Sequence, residues 1–424
     1  MTGIGDLPKA SVIVPTYNAS GLLRETLQSL ARQRIDPADF EIIVADDGSS
    51  DDTRAVAESF SAKYYYQEDL GYRLCHARNG GARLAAAPVL IFLDTGTVAG
   101  PDFVARHLAA HDNGTSRLVG GYNYGYDPVP DHDVPGLREA LDRLPPEEVV
   151  EQYRCDPVLN DCRHGLLSPY DFDLAKMAVP WVYVFGCNCS IKTADFWAVG
   201  GYDERFTGWG AEDLEFGYRL SKHGIGFGMD REAWTIEVPV ERSNMDVRMR
   251  EFSRNMSVFL DKYPEPCVEI GWAASHRYDP LDWERYYQDF IAWRRQAGDL
   301  DVTGEIDDAM RRIPPGDKIA VLGSGGRLPA SFPGTGSAVV MDFDAELLDR
   351  AQVPGPYVKH HMIGLRTTLA DRSVDTVIIT SRLSGLREVW NDSLLTEAHR
   401  IARSVQCSPG YSPLSTINPR RELP

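Results

Sequence analysis

Two adjacent carboxylates, Glu212 and Asp213, stand in the stretch GWGAEDLEFGYRL at 208–220, and acids so placed can take a proton from a hydroxyl or thiol. Glycines at 208 and 210 allow a tight turn beside a ligand, and Trp209 offers a ring that would desolvate a neighbouring acid. Leu214, Phe216 and Leu220 recur at helical spacing behind the pair. A strand and a turn within 181–211 therefore deliver both acids to the first turn of a helix. Negative residues there also complement the helix dipole, so spacing alone leaves a capping role and a catalytic role about equally open.

Other chemistry-bearing residues fall at the tips of expected strands. Thr16 and Tyr17 follow ASVIVP at 10–15, Asp46 and Asp47 follow EIIVA at 41–45, and Asp94 follows PVLIFL at 88–93. Between them, Leu23, Leu27, Leu30 and Ala31 mark a helix with one apolar face, and further helices are expected over 51–60 and 72–86 with a strand at 63–67. Strands alternating with helices imply a doubly wound, mostly parallel sheet, because parallel neighbours need helical crossovers. Ligands of such sheets bind beyond the carboxyl ends of the strands. Acids at one tip make a solvated turn; acids at several tips on one edge favour a binding site.

The chain of 424 residues has room for two or three domains, and its net charge of −18 argues against a nucleic-acid backbone or an anionic membrane as partner. No apolar run approaches the roughly 20 residues of a membrane span, and the N-terminus lacks a signal pattern, so a cytoplasmic protein is expected. Seven scattered cysteines suit a reducing compartment. Cys187 and Cys189 alternate along an expected strand, whereas Cys155, Cys162 and His164 lack the second close ligand pair of a zinc site.

Five segments in order, VIVPTYN (12–18), IIVADDGSSDDT (42–53), GYRLCHARNGG (71–81), FLDTGT (92–97) and GWGAEDLEFGYRL, resemble the family-2 nucleotide-sugar glycosyltransferases of GT-A fold over about residues 8–265. The resemblance implies that Pro15, Tyr17, Asp46, Asp47, Arg78, Asn79, Asp94 and Thr95 bind a nucleotide diphosphate sugar, UDP-linked, with Tyr17 and Asp46 or Asp47 at the base and Asp94 over the ribose and diphosphate. It places Asp213 at the catalytic base of an inverting transferase, with Glu212 beside it. Trp209, Gly210 and Asn188 are expected to touch the sugar or the acceptor, which would be a small molecule, a peptide or a glycan.

Two positions depart from that pattern. Gly96 stands where the family's second metal-binding acid belongs, and Thr235 where a metal-binding histidine is common. The implied manganese or magnesium would then rest on Asp94 alone, with Glu212 or Glu237 as the assistants in reach of the sequence. Three alternatives follow: a metal-independent transferase using cations such as Arg78, a metal held mostly by the donor's phosphates, or a sugar-nucleotide-binding scaffold without turnover.

The remaining chain divides into an acceptor insertion at about 112–180, a helical connector over 266–313 that includes an aromatic helix at 283–293, and a tail over 406–424. An amphipathic helix is expected over 245–263. Between connector and tail, KIAVLGSGG (318–326) and SAVVMDFD (337–344) resemble class I S-adenosylmethionine methyltransferases, with Asp342 at the ribose-binding position. RLPASFPGTGS (327–337) breaks the helix that should open on the cofactor, and the chain ends near the fifth strand. Residues 314–405 are therefore expected to form a small, partial Rossmann-like α/β domain, truncated and methyltransferase-like, that binds no S-adenosylmethionine and serves packing, dimerisation or acceptor docking.

Overall fold

The computed structural model describes residues 7–112, 114–128, 134–240, 245–276, 280–332, 338–352 and 357–411. Residues 333–337 of the broken cofactor loop, 129–133 of the expected insertion and 412–424 of the tail lie outside that set. The chain forms two compact units, Met1–Asn255 and Met256–Pro424.

In the first unit the strands are β1 (Ala10–Thr16), β2 (Phe40–Asp46), β3 (Lys63–Tyr66), β4 (Val89–Leu93), β5 (Thr97–Ala99), β6 (Arg117–Tyr124), β7 (Asn188–Lys192) and β8 (Gly226–Glu237). They form one sheet in the order β3-β2-β1-β4-β7-β6-β8-β5. The β1–β4 half is parallel throughout, with Ala10 opposite Phe40 and Val89, so the carboxyl ends of β1, β2 and β4 share one edge. β7 runs antiparallel to both β4 and β6.

The helices α1 (Ser20–Leu30), α2 (Thr53–Ser59), α3 (Leu74–Leu84) and α4 (Phe103–Ala109) cross over the sheet. Val12, Val14, Leu23, Leu27, Val44, Val56, Ile91 and Phe103 close into one core on one face of the sheet, while Ile13, Ile43, Leu90 and Phe92 are buried on the other, so the central strands are apolar on both faces. Each expected element of the first hundred residues is present, within a few residues of its expected bounds.

The segment expected to be an acceptor insertion contains a strand of the main sheet. β6 lies within it yet is a central strand, between β7 and β8, with Leu118, Val119 and Tyr122 buried. The helix Met245–Lys262 matches the amphipathic stretch and crosses the boundary between the units.

In the second unit, β9 (Ile319–Leu322), β10 (Ala338–Asp342), β11 (Val358–His361), β12 (Thr376–Ile379) and β13 (Ser404–Cys407) make a parallel sheet in the order β11-β10-β9-β12-β13. A fifth strand is thus formed, running past the expected domain end at 405. The end of the expected helical connector packs on this sheet: Val302, Ile306 and Ala309 share a core with Ile319, Val321 and Val340. Among the described residues no helix is long and apolar enough to cross a membrane.

Candidate active site

Arg78 is the centre of the site. It sits on α3 with its side chain 1% exposed, and its Nη2 lies 2.9 Å from Asp94 Oδ1 at the end of β4. Its Nη1 lies 3.4 Å from Glu212 Oε1 and 3.3 Å from Asp213 Oδ1, at the start of the Glu212–Lys222 helix. The Tyr202 ring packs on the guanidinium, 5.1 Å from centroid to carbon. A buried cation demands compensation, and three carboxylates supply it.

The two neighbouring acids are held differently. Gly186 N–H donates to Asp213 Oδ2 at 2.9 Å, whereas Glu212 Oε2 is buried without a hydrogen-bond partner. Burial, then the charge of Asp213, pushes Glu212 up to about 8 despite Arg78. Burial also raises Asp213, against the opposing pull of Arg78 and the Gly186 N–H. Both carboxyl groups are thereby raised, and the two acids titrate as a pair that favours holding one proton between them.

The exposed face of this cluster belongs to Asp94 and Asp213, whose side chains are 33% and 23% exposed. Trp209 and Gly210 lie in the turn before the acids. The Trp209 N–H donates to Glu251 at 2.9 Å, its ring packs on Phe252 and under Arg248, and the Gly210 carbonyl accepts from Asn255.

On the nucleotide side, the Tyr17 ring is 49% exposed and its hydroxyl donates to Asp69 at 2.9 Å. Asp46 is fully buried and organises the loop after β2 by accepting from the N–H groups of Gly48 and Ser49 at 3.1 and 2.7 Å, with Tyr64 on its other oxygen. Asp47 accepts from the Arg73 N–H at 2.7 Å and from Gln67, and burial raises its pKa. Pro15 and Thr95 meet across β1 and β4, the Thr95 hydroxyl donating to the Pro15 carbonyl at 2.8 Å.

Two expected contact residues are engaged elsewhere. Asn79 points into the 201–204 turn, donating to the Tyr202 carbonyl and Glu204 and accepting from the Tyr202 N–H. Asn188 is fully buried, its oxygen against His107 and its amide on the Ala233 carbonyl. Both amides are engaged by the fold.

The metal positions fare similarly. Gly96 has φ +92°, a conformation L residues rarely adopt, and its N–H donates to Thr26. A second acid there would strain the turn that carries Asp94. Thr235 is fully buried and donates to Asn123 at 2.8 Å. Among the described residues no group of three or more His, Cys, Asp or Glu is placed to hold a metal ion, and Asp94 already shares an oxygen with Arg78. The residues present do not fit a protein-built divalent-metal cage. Nor is Arg78 free to neutralise a diphosphate: its guanidinium is buried and already faces Asp94, Glu212 and Asp213.

The His164 ring, weighed as a zinc ligand, is instead hydrogen-bonded to Tyr122 at 2.7 Å. Sequence reasoning missed the Gly186 N–H and Tyr202, since neither a backbone donor nor a ring platform carries a motif.

The family model for glycosyl transferase family 2 matches residues 11–176, and that for the N-terminal domain of galactosyltransferase matches 170–248. The chain is 43% identical to a validoxylamine A glucosyltransferase of Streptomyces hygroscopicus subsp. limoneus, over 94% of this chain and 90% of the relative. A second validoxylamine A glucosyltransferase, from S. hygroscopicus subsp. jinggangensis, is 42% identical over 94% of this chain and 96% of its own. Among solved structures, S. aureus TarS 1–349 with UDP-GlcNAc aligns at TM-score 0.42 and 19% identity, covering 60% of this chain and 66% of that one. The chain belongs to glycosyltransferase family 2 and is a sugar-transferring enzyme of α/β, GT-A architecture.

Proposed function

We propose that the chain moves glucose from a nucleotide diphosphate donor, UDP-linked, to a hydroxyl of a small-molecule acceptor of the validoxylamine type, with inversion at the anomeric carbon. The relatives named for glucosyl transfer to validoxylamine A support the sugar and the acceptor class, since they align along nearly the whole chain. The single observation that carries the mechanism is the Arg78 cluster, which brings Asp94 and the Glu212–Asp213 pair to one place at the carboxyl edge of the sheet.

In this reading Asp213 takes the acceptor proton as the oxygen attacks. Its carboxylate is held in place by Arg78 and the Gly186 N–H, and burial raises its basicity toward that task. A proton held between Glu212 and Asp213 limits the pair to one negative charge in the pocket. Tyr17, with its exposed ring, is the platform for the nucleotide base. The second unit is read as a methyltransferase-like fold without the cofactor. Asp342, at the position of the ribose-binding acid, is fully buried in an ion pair with Arg382, whose side chain packs over the Gly325 backbone.

The test is release of nucleotide diphosphate from a panel of UDP-, GDP- and ADP-sugars with validoxylamine A as acceptor, followed by assignment of the product's anomeric configuration by NMR. UDP release from UDP-glucose and an inverted product are expected. A product of retained configuration would remove the role of Asp213, and release from another nucleotide alone would remove the donor assignment.

A further inference from the structure

Asp161 and Arg163 form an ion pair in which neither side chain is exposed. Arg163 Nε donates to Asp161 at 2.9 Å, Nη1 to the Tyr183 carbonyl at 2.7 Å and Nη2 to the Gly121 carbonyl at 2.9 Å. Its guanidinium carbon lies 4.3 Å from the centre of the Phe185 ring. Asp161 also accepts from the N–H groups of Asn123 and Arg163 at 2.8 and 2.9 Å. One buried arginine therefore ties the 160–164 turn, the end of β6 and the 183–185 stretch together.

The residue after that stretch is Gly186, whose N–H is the donor to Asp213. The approach is close: a Cβ on Gly186 would lie 2.3 Å from Asp213 Oδ1 and 2.8 Å from Arg78 Nη1. Well-packed apolar residues commonly stabilise a fold as much as a buried ion pair does. They could not, however, hold two main-chain carbonyls at hydrogen-bonding distance.

We propose that Arg163 is a positioning residue of the transfer reaction: by clamping Tyr183 and Phe185 it fixes the Gly186 N–H against Asp213 and so sets the proton affinity of the base. The inference rests on the reading of Asp213 as that base. The other groups facing Asp213 are Arg78 and Cys75 from α3, Asp94 from the end of β4, Glu212, Tyr202, and Cys187 and Cys189 at β7. Loosening the clamp weakens the one neutral backbone donor among these contacts and leaves the charged neighbours in the chain.

The experiment compares the full chain with Arg163→Lys, Phe185→Leu and Asp213→Asn, each checked for native circular dichroism and thermal unfolding. Lysine keeps the charge beside Asp161 but cannot bridge both carbonyls, and leucine removes the ring under the guanidinium. A hydrogen bond to a carboxylate favours its charged form, so weakening it raises the pKa. The acid limb of the kcat–pH profile is expected to move up by about one unit, so that kcat on that limb falls roughly tenfold, and the donor KM to stay within about twofold.

Folded variants with an unmoved acid limb overturn the proposal, as do variants in which kcat and KM decay together with no change of profile. Should Arg163→Lys fail to fold, Phe185→Leu decides alone. An inactive Asp213→Asn beside an unmoved limb refutes only the clamp. An Asp213→Asn that turns over like the parent refutes the base, and the clamp with it.

Discussion

Arg78 and Asp94 are joined by a 2.9 Å ion pair in which the cation is almost wholly buried and the carboxylate is one-third exposed. The same guanidinium faces Glu212 and Asp213, so it organises the site from beneath rather than meeting the donor's charge. Arg78→Met removes the buried cation that faces Asp94, Glu212 and Asp213 and is expected to destabilise the first unit by about 3–5 kcal/mol. Arg78→Lys should recover little of this, because a single ammonium cannot span both sides of the cluster. Urea unfolding measures the effect, and an unchanged midpoint in Arg78→Met would show that the carboxylates do not depend on it.

The Glu212–Asp213 pair predicts unequal mutants. Asp213→Asn removes the acceptor of the proton and should lower kcat by about 10²–10⁴, with donor binding retained. Glu212→Gln replaces a carboxyl group that burial pushes up to about 8 with a neutral isostere. It should stay at least about tenfold more active than Asp213→Asn. Steady-state kinetics with a calorimetric donor titration separate the two, and equal losses would assign the proton to the wrong partner.

Much of this arrangement could be read before any coordinates. The strands β1, β2 and β4 are buried on both faces, so their sequences are unbroken apolar runs, and the acids at their tips stand out against them. β6 was hidden because RLVGGYNY carries paired glycines and Asn123; its extended state comes from β7 and β8 on either side, not from its own propensity. Chemical types at the site were legible, but their pairing was not. Arg78 and Asp213 are 135 positions apart, and nothing local says that one cation answers three acids. Asn79 and Asn188 illustrate the converse, since a motif position shows where a side chain starts but not which backbone groups claim it.

A buried histidine chain predicts acid lability. His111 Nε2 and His107 Nδ1 both lie 2.9 Å from Ser190 Oγ, and His107 Nε2 lies 2.9 Å from Asn188 Oδ1. Burial lowers both rings from 6.5 to about 4, with Lys192 and Arg117 adding to the effect at His111. The unfolded chain therefore binds protons that the folded chain refuses. Stability from this source is complete above pH 6.5 and is lost as the pH falls toward about 4, by up to roughly 3 kcal/mol per ring. Glu212 and Asp213, raised in the fold, act in the opposite sense, so the histidine share is isolated by comparing the parent with His107→Gln. Its urea midpoint should depend less steeply on pH between 7 and 4.5, and parallel curves would rule the histidines out.

The second unit predicts an absence with a cause. Asp342 accepts from Arg382 at 2.8 and 2.9 Å and from the Gly325 N–H at 2.7 Å, so the acid that the proposed methyltransferase-like reading sets at the ribose position is already saturated. Arg382 itself is pinned by Trp293, which donates to its carbonyl at 2.8 Å, and by the Phe343 ring under its guanidinium. A ribose would have to displace a fully buried guanidinium and leave its charge uncompensated, at a cost of about 3–5 kcal/mol before any contact is gained. Calorimetric titration with S-adenosylmethionine should give no binding heat for the parent chain. Asp342→Asn should unfold at a markedly lower urea concentration while transfer activity per folded molecule is retained, because Arg382 is left buried without its partner. Saturable binding of S-adenosylmethionine by the parent would mean that the ion pair opens as part of a working cofactor site.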